Sequence, residues 1–329
     1  MVTGDEGAGP GFGPSPGFGP GAGLAVDVHQ HLWPAELIDG LRRRTSGPRL
    51  KGWSLQLPGE PDFQVDPADH DPVRRAELAA ADGTGLALIS LSSPLGIEHL
   101  PAAEAQPLLD AYHAGAAKLG APFGAWAAAS LDAPRPDELG RLLTAGFHGL
   151  QLPATALADA AGYRRCEDLL DTLVRHDRPL LIHPGPVPPP SPGAERGPGW
   201  WPAMVSYVAQ MHAAWFAFRA FGRPAHPGLR VCFAMLAGLA PLHGERAANR
   251  GADDGRAGHD PGVWLEVSSY GPGAIGAVAA VCGADALIRG SDQPYAPLPE
   301  YGLGAAAARR LDVDNPARLL GLPVPAQVG

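Results

Sequence analysis

The chain has 329 residues, a formal net charge of −9 and only two lysines, Lys51 and Lys118. An acidic chain without a basic stripe is a poor binder of nucleic acid, and no apolar run approaches the roughly 18 residues that a membrane span requires. Three cysteines, Cys166, Cys232 and Cys282, lack metal-type spacing and suit reduced thiols in a cytoplasmic protein.

Residues 1–23 are rich in glycine and proline, with neither the basic start nor the apolar centre of a signal peptide. They read as a disordered tail ahead of a single folded domain over residues 24–322, and residues 323–329 read as a short C-terminal tail. Within the domain, short apolar runs bounded by turn residues predict strands at Leu24–His29, Gly85–Ser92, Phe123–Ala129, Gly146–Leu152, Pro179–His183, Leu229–Met235, Val263–Ser268 and Ala286–Gly290. Segments with helical spacing lie between them: Ala102–Lys118, Asp137–Ala145, Arg165–His176, Ala203–Phe221, Ala274–Cys282 and Gly302–Arg310. Eight strands alternating with helices predict an α/β fold, a closed (β/α)8 TIM barrel. An open doubly wound sheet is the competing arrangement, and the lack of a G-x-G-x-x-G run after the first strand counts against it. Long connections follow strand one (Thr45–Asp71), strand five (Pro184–Gly199) and strand six (His243–Gly262), on the face where barrels carry function.

The first strand, LAVDVHQHLWP, places His29 and His31 two residues apart, so both project to one side. His183 closes strand five in LLIHPGP, and Asp292 follows strand eight in IRGSDQPY. In a barrel these strand ends meet at one mouth, with strands one and eight adjacent by closure. Imidazole nitrogens and one carboxylate, with a position left for water, make a catalytic-type site for a divalent metal ion. Separately, His183 also reads as an ordinary strand-end histidine and Asp292 as a turn cap; it is their joint placement that points to metal.

The motifs D-V-H-Q-H, I-H-P and G-S-D-Q-P-Y resemble those of the amidohydrolase superfamily, and in particular the amidohydrolase-related subgroup that includes aminocarboxymuconate-semialdehyde decarboxylase, resorcylate decarboxylases and pyrone-dicarboxylate lactonases. GFHGLQLP (Gly146–Pro153), LRVCFAMLAGLAP (Leu229–Pro241) and DNPARLLGL (Asp314–Leu322) resemble its fourth strand, sixth strand and closing helix. The resemblance spans about Leu24 to Leu322. It implies a metal-dependent TIM-barrel enzyme with His29, His31, His183 and Asp292 as ligands. The ion would be zinc by first choice, with manganese, iron or cobalt as alternatives, and a homodimer is a common state in such proteins. Asp292 would also accept or deliver a proton, and Asp27 would either stand behind the ligands as a support or lie beneath the site and orient a histidine.

Two departures stand out. Strand four carries no lysine, so the binuclear centre bridged by a carboxylated lysine is not expected and the site should hold one ion. The histidine that usually ends strand six in the subgroup is replaced by Met235, whose thioether cannot donate a hydrogen bond or shuttle a proton. His243 and His212 are the candidates to substitute for it, although both also read as ordinary loop and helix-face residues. Around the mouth, Trp33, Trp201, His212, Tyr270 and Tyr295 are expected to contact a small, flat, partly apolar substrate. Arg246 and Arg289 could pair with a substrate carboxylate, although strand alternation aims Arg289 away from Asp292. The leading expectation is hydrolysis of an amide, ester or lactone by metal-activated water with Asp292 as base. The alternatives are non-oxidative decarboxylation of an aromatic or unsaturated carboxylic acid, and a ligand-binding barrel whose catalysis is impaired by Met235.

Overall fold

The computed structural model describes residues 25–193, 195, 197–252 and 260–325. The expected N-terminal tail, the tip of the loop after strand six and the last four residues lie outside the described residues.

Eight parallel strands occur in the expected order: β1 (Ala25–Gln30), β2 (Thr84–Ile89), β3 (Phe123–Ala125), β4 (Leu150–Pro153), β5 (Leu180–His183), β6 (Val231–Phe233), β7 (Val263–Glu266) and β8 (Leu287–Ile288). Strands β1, β2 and β3 form one sheet, and β4 to β8 form a second in sequential order. A parallel bridge between Ala127 and Leu150 connects the two sheets on one side. On the other side, Val28 N donates to Arg289 O at 3.1 Å, and Ser291 N and Asp292 N both donate to His29 O, at 3.1 and 2.9 Å. Alternate strand residues Val26, Val28, Leu86, Leu88, Leu181, Cys232, Trp264 and Ile288 meet Trp126 in one buried cluster. A period of two puts such residues on one face of each strand, so six strands contribute to a common interior. The larger apolar cluster packs the helices against the strands.

Helices fill the connections, and their starts follow local chemistry. Asp71 accepts from Val73 N at 2.9 Å ahead of Pro72, opening the helix Pro72–Ala81. Asp159 accepts from Gly162 N at 2.7 Å and opens Ala160–Arg175. Proline at the first turn and an acidic cap both satisfy or remove amide groups that the helix cannot pair itself. Asp66 caps the short turn Pro67–His70 in the same way. The connection after β1 is more structured than expected. Within Thr45–Asp71, residues Arg49–Lys51, Ser54–Gln56 and Phe63–Gln64 pair as a small antiparallel sheet. These strands are two or three residues long, too short for a periodic pattern to reveal.

Strand six ends earlier than its apolar run. The run stops pairing at Phe233, and Met235, Leu236, Ala237, Gly238 and Leu239 all take positive φ, from 48° to 62°. A left-handed turn of this length strains each non-glycine residue by roughly 1–2 kcal/mol. Burial of Leu236 and Ala237 supports it. Gly238 is required inside it, since a Cβ there would lie 2.6 Å from Val208 O.

Candidate metal centre

β1 and the residue that follows it deliver two imidazoles, His29 and His31, β5 one, and the segment after β8 a carboxylate. His29 Nε2 and His31 Nε2 lie 3.2 Å apart, and Asp292 Oδ1 sits 3.2 Å from His31 Nε2 and 3.7 Å from His29 Nε2. The His183 ring centroid is 4.7 Å from that of His29 and 5.1 Å from that of His31. One donor atom from each of the four residues falls within 4.8 Å of all the others. Tetrahedral ligands at about 2.1 Å from an ion are separated by about 3.4 Å, so these spacings match the edges of a coordination shell.

The outer faces of the rings fix their tautomers. His29 Nδ1 donates to Glu266 Oε2 at 3.3 Å, His31 Nδ1 to Ser90 O at 3.1 Å, and His183 Nδ1 to Pro184 O at 2.8 Å. Carbonyl and carboxylate oxygens only accept, so each Nδ1 carries the hydrogen and each Nε2 presents a lone pair inward. Three such lone pairs beside a carboxylate repel one another unless a cation lies among them. The donor set therefore fits a divalent ion bound by imidazole and carboxylate.

The electrostatics favour the neutral form at two of the three rings. Burial, together with the neighbouring His29 and His31, holds His183 well below the ordinary imidazole value. Burial and His29 likewise lower His31, against the pull of Asp292. Burial also opposes protonation of His29, but the Glu266, Asp292 and Asp27 carboxylates outweigh it and raise that ring. Neutral rings at His31 and His183 are the form that binds metal.

Glu266 was not singled out from the sequence. Fully buried on β7, its carboxylate accepts from His29 Nδ1, from Met235 N at 3.1 Å, and from Ser268 N and Oγ at 2.5 and 2.8 Å. A carboxylate behind a ligating imidazole fixes ring orientation and raises its basicity. The signal was present in VWLEVSSY, where a lone charge interrupts an apolar strand. Gly290 serves the same residue: a Cβ at that position would collide with the Glu266 side chain.

Asp27 does not orient an imidazole ring directly. It accepts from the backbone amides of His29 and Ser291, at 3.1 and 3.0 Å, and from Ser291 Oγ at 2.6 Å. It thus couples the end of β1 to the segment after β8, which presents Asp292 at φ 58°. Aspartate tolerates that left-handed conformation better than most residues.

The expected substrate contacts divide. Tyr295 stands at the centre, its ring 5.4 Å from His31 and 6.2 Å from Phe63. Trp33 is packed into the core, where its ring stacks on His70 at 4.4 Å and its Nε1 donates to Ser92 Oγ. It is buried rather than lining an open mouth: the strand ends at Gln30, so alternation no longer directs Trp33 to the side of His31. His212 faces His243 and Phe216, with ring centroids 5.0 and 5.1 Å away. The two histidines proposed as stand-ins for Met235 thus contact each other, and among the described contacts none joins either to the three site imidazoles. Trp201 is exposed beside Trp200, near the Val187–Pro190 stretch of the proline-rich loop. Tyr270 is partly buried against the main core. Arg289 points away from Asp292, as alternation suggests: it donates to Thr84 Oγ1 at 2.7 Å and pairs with Asp312 at 3.7 Å. Arg246 lies exposed on the helix Gly244–Ala248. Among the described residues, no helix is long and apolar enough to cross a membrane.

No protein-family profile matches the chain, and no curated protein matches it. Solved structures do. IDCase from Metarhizium anisopliae superimposes with a TM-score of 0.73 at 17% identity, over 92% of this chain and 98% of that one. The 5-carboxyvanillate decarboxylase LigW from Sphingomonas paucimobilis gives 0.71 at 15% identity, over 91% and 100%. The 5-carboxyvanillate decarboxylase from Novosphingobium aromaticivorans, solved with manganese and 4-hydroxy-3-methoxy-5-nitrobenzoic acid, gives 0.62 at 16% identity, over 96% and 100%. The chain has the fold of these decarboxylases, and this agrees with the resemblance to the amidohydrolase-related proteins carried by its strand-end motifs.

Proposed function

We propose that this protein is a metal-dependent carboxy-lyase of the amidohydrolase superfamily, acting on a small aromatic or unsaturated carboxylic acid. The two parallel sheets are then one closed ring of eight strands, and residues 24–322 are one domain. The observation that carries the reading is the convergence of His29, His31, His183 and Asp292, in a fold shared with decarboxylases of similar length. These matches favour decarboxylation over the hydrolysis first expected from the motifs.

His29, His31, His183 and Asp292 would hold one divalent ion; manganese, bound in a structure of the same fold, and zinc both suit the donors. Bound there, the ion would supply a positive charge to anchor the substrate's carboxylate and an adjoining oxygen. The chain's own residues do the rest. Glu266, Ser90 and the Pro184 carbonyl keep the three imidazoles in one tautomer. Asp292, 17% exposed where the histidines are sealed, can exchange a proton with solvent and deliver it to the carbon that loses CO2. The C–C bond breaks, its electrons remain on that carbon, the proton joins it and CO2 leaves. Tyr295, beside His31, offers a flat face to an aromatic ring.

Incubation of metal-replete protein with hydroxylated benzoic acids and unsaturated diacids, followed by measurement of CO2, tests the proposal. Release of CO2 with the decarboxylated product supports it. Ring opening of a lactone, or acid release from an ester or amide, without CO2 would return the reading to hydrolysis.

A further inference from the structure

Arg75 lies on the helix Pro72–Ala81, in the excursion between β1 and β2, yet its side chain is only 2% exposed. Among the described residues its guanidinium makes no ion pair. Nη1 donates to His31 O at 2.8 Å and to Asp69 O at 3.1 Å; Nη2 donates to Gln30 Oε1 and, at 3.4 Å, to Gln293 O. His31 is itself a candidate ligand, and Gln293 directly follows Asp292, so one planar cation spans the backbone on both sides of the centre. The Gln293 carbonyl also accepts from His31 N at 2.7 Å. Gln30 extends the link: its Nε2 donates to Asp27 Oδ2 at 3.1 Å, and Asp27 holds His29 N and Ser291. The buried negative charge of Asp27 and the buried positive charge of Arg75 are thus bridged by the Gln30 amide.

We propose that Arg75 is a positioning residue for the metal centre, a brace that sets the separation between the β1 imidazoles and Asp292. The inference rests on the reading of those residues as a metal site. Both terminal nitrogens of Arg75 are engaged by protein acceptors, and only Nε has no partner among the described residues. Arginine is suited to this task because its fork reaches several acceptors in one plane, whereas a lysine ammonium on a flexible stem reaches them as a point charge. Residues behind metal ligands typically alter metal affinity by about 10–100-fold when replaced.

The test compares the metal-free full chain as wild type, Arg75→Lys and Arg75→Ala, titrated with Co2+. Affinity, the visible d–d bands, near-UV circular dichroism and the thermal midpoint of the metal-free proteins are recorded. The expected result is an Arg75→Lys protein that folds with near-wild-type dichroism, binds Co2+ about 10–100-fold more weakly and shows altered d–d bands. Arg75→Ala should lose at least as much affinity. Wild-type affinity and bands in Arg75→Lys, with or without lower thermal stability, would overturn the proposal and leave Arg75 a structural residue. Failure of Arg75→Lys to fold would do the same. Should Arg75→Ala alone fail to fold, Arg75→Lys decides. A wild-type chain that binds no Co2+ refutes the metal site itself, a result distinct from wild-type binding that Arg75→Lys leaves unchanged.

Discussion

His29 Nδ1 faces Glu266 Oε2 at 3.3 Å, and both side chains are sealed from solvent. This carboxylate also accepts from Met235 N, the first residue of the left-handed turn, at the position where a strand-six histidine was expected. The substitution of methionine therefore leaves the backbone of that position tied to the candidate metal centre through Glu266. Its side chain packs against the main core.

Glu266 should be the most sensitive residue that does not itself face the ion. Glu266→Gln puts an amide NH2 among four donors, two of them from Ser268. Unpaired buried donors destabilise a fold by about 1–3 kcal/mol each. Metal affinity should fall by about 10–100-fold, and unfolding should occur at lower denaturant. Isothermal titration with Mn2+ and urea unfolding of the same preparation read both effects.

Asp292 separates binding from chemistry. Asp292→Asn retains an oxygen at the same place but loses the proton carrier, so CO2 release should drop by about 10²–10⁴. Far-UV dichroism should be unchanged. Turnover equal to wild type would exclude the assigned proton transfer.

A third expectation concerns Glu98, after β2. Its carboxyl is fully buried, accepts from Ser93 Oγ and has no partner for Oε2. Burial pushes it up to about 7, from an ordinary value of 4.5. The folded state holds this proton more tightly than the unfolded chain does. The stability contributed by the neutral group is therefore complete below about pH 4.5 and declines as pH rises toward 7. Ionising it in place costs on the order of 3 kcal/mol. Glu98→Gln should flatten that part of the profile and make the protein more stable than wild type at pH 8. Urea midpoints at pH 5 and pH 8 for both proteins check the difference.

The eight strands and their order were legible because each is an apolar run bounded by turn residues, even in four-residue segments such as Leu180–His183, which is buried throughout. The four convergent side chains were legible because each lies at or within a few residues of the C-terminal end of a strand: His29 and His31 around the end of β1, His183 at the end of β5 and Asp292 after β8. What escaped was the layer behind them. Arg75 reads as one of two adjacent arginines on a short helix, and nothing in the local pattern reveals that it is buried under His31. Ser90 acts through its backbone carbonyl, which has no residue signature. The left-handed turn at Met235–Leu239 is equally silent, since MLAGLAP is apolar throughout and only tertiary burial selects the positive φ values. His212 and His243 carry no local sign of their direction; in the fold they turn to each other.

The most direct test is the metal stoichiometry of protein expressed with ample Mn2+ and Zn2+, measured by elemental analysis beside His183→Ala. One divalent ion per chain in the wild type, largely lost in the variant and accompanied by a lower thermal midpoint, is the expected result. Less than about half an equivalent in the wild type, or equal metal content in His183→Ala, would contradict the convergence of three imidazoles and Asp292 on one ion.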